Sequence, residues 1–107
     1  MSRSEFRWNK KRRHYAYLFK DLDDKCLNIV LTTKPTRIVK GKQKRNVKLF
    51  RHPNPNSIKN AYVIPFIYVD LFSSFYDKVY KWRFDKNDKR MIKRTKTNWR
   101  KIRKSQH

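Results

Sequence analysis

The segment Thr32-Thr33-Lys34-Pro35 sets two hydroxyls and an ammonium in a row, where an apolar run ends and the most basic loop of the chain begins. Hydroxyls and a cation held at a strand end suit a phosphate, because an ionised partner strengthens each hydrogen bond. The plainer alternative is two β-formers at a strand exit followed by a solvated lysine. His14 follows Arg12 and Arg13. Neighbouring cations favour its neutral form, and a neutral imidazole can act as a base; otherwise it is only a polar residue entering a strand. His52 stands beside Arg51 at the head of Pro53-Asn54-Pro55-Asn56, where it either binds phosphate or caps the turn. His107 ends the sequence and is expected to be disordered.

Other chemistries find no residues to carry them. Eight carboxylates, none paired at a useful spacing outside Asp21-Leu22-Asp23-Asp24, with three histidines and one cysteine, make no recognisable metal-ligand cluster. One glycine excludes a glycine-rich phosphate loop, and no Gly-x-Ser-x-Gly or Cys/His signature is present. No metal and no cofactor are therefore expected. On RNA, catalysis without a metal is feasible because the 2′-hydroxyl is an internal nucleophile. The protein then supplies a proton acceptor, a proton donor and cations around the phosphorane.

A polyanionic partner is the first expectation from charge. Thirty lysines and arginines oppose eight carboxylates in 107 residues, a formal charge of +22. Aromatic residues at 15% and apolar ones at 37%, gathered in short bounded runs, favour a folded basic domain over a solvated tail. The positive charge is concentrated in residues 1–13, 34–51 and 86–104, with local sums of +5, +8 and +9. Candidate nucleic-acid contacts come from each block. Arg12 and Arg13 lie in the first. Arg37, Lys40, Lys42, Lys44, Arg45, Lys48 and Arg51, with His52, lie in or beside the second, and Lys93, Arg94 and Arg100 in the third. Single-stranded RNA also calls for stacking rings, and Trp8, Tyr15 and Trp82 are the expected exposed ones among the aromatics interleaved with these cations.

These side chains need a scaffold, and the apolar pattern describes one. At this length a single domain, 1–107, is expected, with a basic N-terminal segment (1–13), a β core (14–84) and a basic helix (85–104). Tyr15 to Lys20 and Leu27 to Thr33 flank the acidic turn and read as a hairpin. A basic loop with Gly41 follows, and residues 46–51 alternate at period two until Pro53 and Pro55 break the strand. Tyr62 to Val69 is the most apolar stretch and is expected to be the central strand, with Pro65 a bulge or early stop. Ser73 and Ser74 suit the cap of a short helical turn, and Tyr80 to Phe84 a final strand. Asp85 is a good N-cap for a helix whose Ile92, Thr95, Trp99 and Ile102 form one thin apolar stripe. That helix either docks on the core or is ordered only by its ligand. The expected fold is α+β, mainly β: a small curved antiparallel sheet or SH3-like open barrel with a C-terminal basic helix.

Cys26 has no partner for an internal disulfide and sits in an apolar run, so it reads as a buried strand residue. No apolar stretch reaches the ~18 residues of a membrane span, and the N-terminus lacks the apolar core of a secretory signal. A reducing, cytoplasmic setting with no membrane partner is expected. The apolar stripe of the helix is too thin for firm insertion at a membrane surface.

Strand, turn, strand ending in Leu31-Thr32-Thr33-Lys34-Pro35, a basic excursion, Val47-Lys48-Leu49-Phe50, a polar loop and Ala61-Tyr62-Val63-Ile64-Pro65 together resemble the core of the ToxN/AbiQ endoribonuclease toxins. Those are relatives of the MazF/PemK family, which has a compact SH3-like barrel. The resemblance covers roughly residues 13–70. It implies active-site roles for Thr32, Thr33 and Lys34, with Arg13 or His14 as the basic residue before the first strand. It also implies metal-free cleavage of single-stranded RNA to a cyclic phosphate, and inhibition by an antitoxin. The order of lysine and proline is exchanged relative to the family motif, a threonine replaces its serine, the chain is shorter than most such toxins, and the C-terminal helix is more basic. The charge suits a structured RNA antitoxin at least as well as an acidic protein one.

Two function classes follow. One is a toxin-like endoribonuclease built on His14 or Arg13, Thr32, Thr33 and Lys34. The other is a non-catalytic RNA- or DNA-binding accessory protein of a mobile element, phage or ribosome. RNA versus DNA, base preference and oligomeric state stay open at this level.

Overall fold

Two aromatic and β-branched runs make the centre of the molecule. In the computed structural model, which describes the backbone of residues 2–105 and the side chains of residues 3–99, they form β2 (His14–Leu22) and β3 (Lys25–Thr32). The expected acidic turn joins them, with Asp23 in the left-handed region at φ 54°, which Asp tolerates better than most residues. The hairpin is out of step by one residue along its length. Leu22 faces Lys25, but Leu18 faces Asn28, so Phe19 is an extra residue in β2.

β1 (Ser2–Asn9) pairs antiparallel with β2, so the sheet starts within the segment expected to precede it. The reason is local. Phe6 is buried, and the Glu5 and Asp21 carboxylates neutralise Arg3 and Arg7. The open edge of β1 is covered by residues 74–80, which bond to it through Tyr76 and Tyr80 and to Lys10, just past its end, through Ser74.

β3 is the central strand, not Tyr62 to Val69. That stretch splits into β7 (Tyr62–Val63) and β8 (Tyr68–Leu71), both on the second edge of β3. Pro65 interrupts them because it has no N–H to give a ladder. β6 (Val47–Lys48) adds outside β7, giving a six-stranded antiparallel sheet that does not close into a barrel. The period-two segment of residues 46–51 is a strand only at its start. Past Leu49, the N–H groups of Phe50 and Arg51 turn to the Asp88 carboxylate at 2.7 and 3.3 Å. Tyr80 to Phe84 keeps alternate burial, but only Tyr80 finds a bridge, to Phe6.

The basic loop is itself ordered. β4 (Thr36–Val39) and β5 (Lys42–Arg45) form a separate two-stranded sheet turned at Lys40-Gly41, both with positive φ, the geometry that fits the strand twist. Ser73 and Ser74 lie within a 3-10 turn, Phe72–Ser74, rather than capping one. α1 (Lys86–Ser105) starts at Asp85, whose Oδ1 accepts the Asn87 N–H at 2.9 Å, as expected of an N-cap. Ile92 is buried in the core cluster and Met91 and Trp99 pack against that cluster, so the helix is docked; Ile102 lies outside the described side chains.

Both faces of the hairpin are covered. Tyr17, Phe19, Leu27, Ile29 and Leu31 pack with Phe6, Val63, Phe84 and Ile92 on the helix side, while Ala16, Leu18 and Cys26 pack with Phe75 on the other. No described helix is long and apolar enough to cross a membrane.

Candidate active site

A cleft of about 480 Å³ opens where β2 begins and β3 ends. Carrying the pairing of Ala16 with Val30 two residues further sets His14 across from Thr32. Three pieces of chain meet there: Arg13, His14 and Tyr15; Thr32 and Thr33; and the loop carrying His52, Asn54, Ser57 and Lys59.

Each functional side chain has a local reason for its place. Buried Asn9 accepts the N–H groups of Lys11 and Arg12 on Oδ1, both at 3.0 Å, folding the β1–β2 loop tightly. Arg13, which ends that loop, takes φ 59°, a left-handed strain that surrounding bonds must hold. Thr32 Oγ1 accepts the Lys34 N–H at 3.1 Å, leaving its own hydrogen to donate. The Lys34 carbonyl accepts Asn46 Nδ2 at 3.0 Å, and the Asn46 N–H donates to the Pro35 carbonyl at 2.9 Å, so Asn46 clasps the ends of the basic hairpin. His52 Nδ1 accepts the Asn54 N–H at 3.0 Å, which puts its proton on Nε2 and leaves that nitrogen as a donor.

Both imidazoles favour the neutral form. Burial, and then the charges of Lys34 and Arg12, hold His14 below the usual histidine range. Burial alone does the same for His52. A half-buried wall of rings borders the cleft. Tyr15 meets Trp8, Tyr80 and Trp82 with centroids 4.7, 5.3 and 4.8 Å away, and His52 meets Trp82 at 6.1 Å. Trp8, Tyr15 and Trp82, expected to be exposed, are therefore partly sheltered by each other, while Phe50, Phe66 and Tyr76 stand more than half exposed.

Arg13, His14, Thr32, Thr33 and His52 are thus brought together. Lys34 does not line the cleft but lies close enough to act on His14. Arg12, expected to contact nucleic acid, is instead held by Asp70 through Nε and Nη2 at 2.9 and 2.8 Å and stacks 4.1 Å over Tyr68. Burial pushes the Asp70 carboxyl up, but Arg12 and Asn28 more than offset it and hold it below the usual range. Arg37 ties the hairpin base to the Arg45 carbonyl and Asn46 Oδ1, both at 2.8 Å, and lies 5.0 Å over Phe66. Lys40, Lys42, Lys44 and Arg45 are exposed on the hairpin, Lys48 and Arg51 on the edge beyond it, and Lys93 and Arg94 on α1; Arg100 lies outside the described side chains, as does His107. Asn54, Ser57 and Lys59 were not singled out from sequence, where only their polar loop before Ala61 pointed to them. Among the described residues, no three His, Cys, Asp or Glu side chains group to hold a metal.

Compared with known proteins, the chain matches no family model, no curated sequence and no solved structure.

Proposed function

We propose that this chain binds single-stranded RNA and cleaves it as a metal-independent, toxin-like endoribonuclease. The observation that supports the reading is the convergence of His14, Thr32, Thr33 and Arg13 on one cleft, with Lys34 alongside and His52 opposite. Neutral His14 takes the proton of the 2′-hydroxyl, and the 2′-oxygen attacks the adjacent phosphorus. The bond from phosphorus to the 5′-oxygen breaks, and that oxygen takes a proton from an ammonium, Lys34 or Lys59. The products are a 2′,3′-cyclic phosphate and a 5′-hydroxyl. Arg13, the threonine hydroxyls and His52 Nε2–H stabilise the charge on the phosphorane. The setting is cytoplasmic, where buried Cys26, its thiol pushed up by burial to about 11, is inert. An antitoxin, a structured RNA or an acidic protein, restrains the activity by covering the same cations.

Purified protein incubated with total RNA in EDTA should yield new 5′-hydroxyl ends. His14→Ala, Thr33→Ala and Lys34→Ala should abolish them while leaving the circular dichroism spectrum unchanged. RNA left intact by the wild type would remove the nuclease and leave the second reading, a non-catalytic RNA- or DNA-binding protein. The exposed lysines of the β4–β5 hairpin favour that reading, since they lie on an element apart from the main sheet.

A further inference from the structure

A second groove, of about 460 Å³, runs between the sheet and α1. Its floor is aromatic, made by Phe6, Tyr17, Trp82 and Phe84. Its rim is basic. Lys89, Lys93 and Lys96 follow one another at helical spacing on the side of α1 that carries Ile92. Lys96 Nζ already lies 5.1 Å from the Tyr17 ring and 4.9 Å from that of Phe19, a cation held above an apolar floor. Among the described residues no carboxylate lines the groove; Asp88, the acidic residue of the first helical turn, is buried against the backbone of Phe50 and Arg51.

The groove adjoins the cleft at Trp82. Tyr15 and His52 line the cleft, and both touch Trp82, which lines the groove. Phe6, Tyr17 and Phe84 are buried and only shape the floor, so half-buried Trp82 is the floor ring that can meet a base, with the lysines supplying charge for phosphates.

We propose that the groove under α1 is an extension of the RNA site. A strand seated in the cleft passes over Trp82, stacks a base there, and lays its next phosphates along Lys89, Lys93 and Lys96. The proposal rests on the reading of the cleft as an RNA site and adds to it a track that only longer strands can fill.

Length dependence tests it. Binding of 2′-O-methyl oligonucleotides, which resist 2′-hydroxyl attack, is measured by anisotropy for a dinucleotide and for a strand of ~9 nucleotides, within the span of one small fold. The wild type should bind the longer strand at least about tenfold more tightly. Lys89→Ala/Lys93→Ala removes two exposed charges and should cost the longer strand about tenfold and leave the dinucleotide unchanged. The double variant should also reduce the salt slope by about 1.4, the single-strand value for two phosphates. A 4-thiouridine placed mid-strand should crosslink to Trp82 in the wild type. Equal losses for both lengths, unaltered affinity for the longer strand, or tighter binding of a polyglutamate peptide at the groove would each overturn the proposal. Should the variant still cleave RNA in those cases, the cleft reading would survive; a wild type that binds neither strand would sink both.

Discussion

His14 is the residue whose environment most shapes the expected chemistry. Burial and two cations favour its neutral form, so its titration by NMR should have a midpoint below about 6.5, the ordinary histidine value. Lys34→Ala should raise that midpoint, and a wild-type midpoint at or above the ordinary value would show that burial and the two cations do not govern this imidazole. Folding is linked to the same protons. His14 and His52 bind protons more weakly in the folded chain than in the unfolded one, so their contribution to stability is complete above about 6.5 and falls as pH drops through it. The urea midpoint should therefore be lower at pH 5 than at pH 7, and His14→Gln/His52→Gln should flatten the difference. Asp70 acts in a later window. Its depressed carboxyl stabilises the fold above the ordinary Asp value of about 3.9 and is lost as acid protonates it.

Arg12 and Asp70 also give a residue-scale test of structure against recognition. The Asp70 side chain is 11% exposed and that of Arg12 35%, so solvent screens the pair from one side only. Arg12→Ala should cost about 1–3 kcal/mol, with screening placing it toward the lower end, because Asp70 and its partners Asn9 and Asn28 are left with an uncompensated charge. Arg12→Ala/Asp70→Asn should recover much of that cost in urea melts. A variant that lost RNA affinity without losing stability would return Arg12 to the phosphate ligands.

At the scale of elements, helix and cleft are coupled through Asp88. This carboxylate, in the first turn of α1, takes the N–H groups of Phe50 and Arg51 and so sets the course of the chain into His52. Asp88→Ala should destabilise the protein by about 1–2 kcal/mol, the order expected when two part-buried donors lose a carboxylate. Amide exchange over residues 50–54 should quicken and cleavage should fall, with partial recovery in Asp88→Asn. Unchanged exchange there would show that the loop is held by other bonds. The sequence offered Asp85 as the cap because a cap acts on its own helix. It had no way to mark Asp88, whose partners lie 37 and 38 residues away.

For the whole molecule, charge makes salt act in opposite directions on stability and on binding. Glu5, Asp21 and Asp70 neutralise cations of the N-terminal strand and loop, so the unbalanced charge is concentrated in the hairpin and α1. Raising NaCl from low ionic strength should raise the melting temperature of the free protein by screening self-repulsion. The same change should weaken RNA binding with a log–log slope of about −4 to −7, the value for six to ten phosphates on a single strand. A shallow slope would mean that the cations are dispersed and no strand is gripped.

Composition and periodicity sufficed for the class of fold, the β2–β3 hairpin and its acidic turn, the cap at Asp85 and the burial of Cys26, because each depends on neighbours a few residues apart. The edge assignments needed the folded chain. Tyr62 to Val69 reads as a central strand from its apolarity alone, but β2 already holds one edge of β3 and leaves it the other, where Pro65 divides it into β7 and β8. The cleft depended on tertiary structure in the same way. Thr32 and His14 could be suspected from their types, but which residues face each other across β2 and β3 is set by the extra residue at Phe19. A one-residue slip in a strand exchanges its two faces, and packing on both sides of the sheet selects the register that brings imidazole and hydroxyl together.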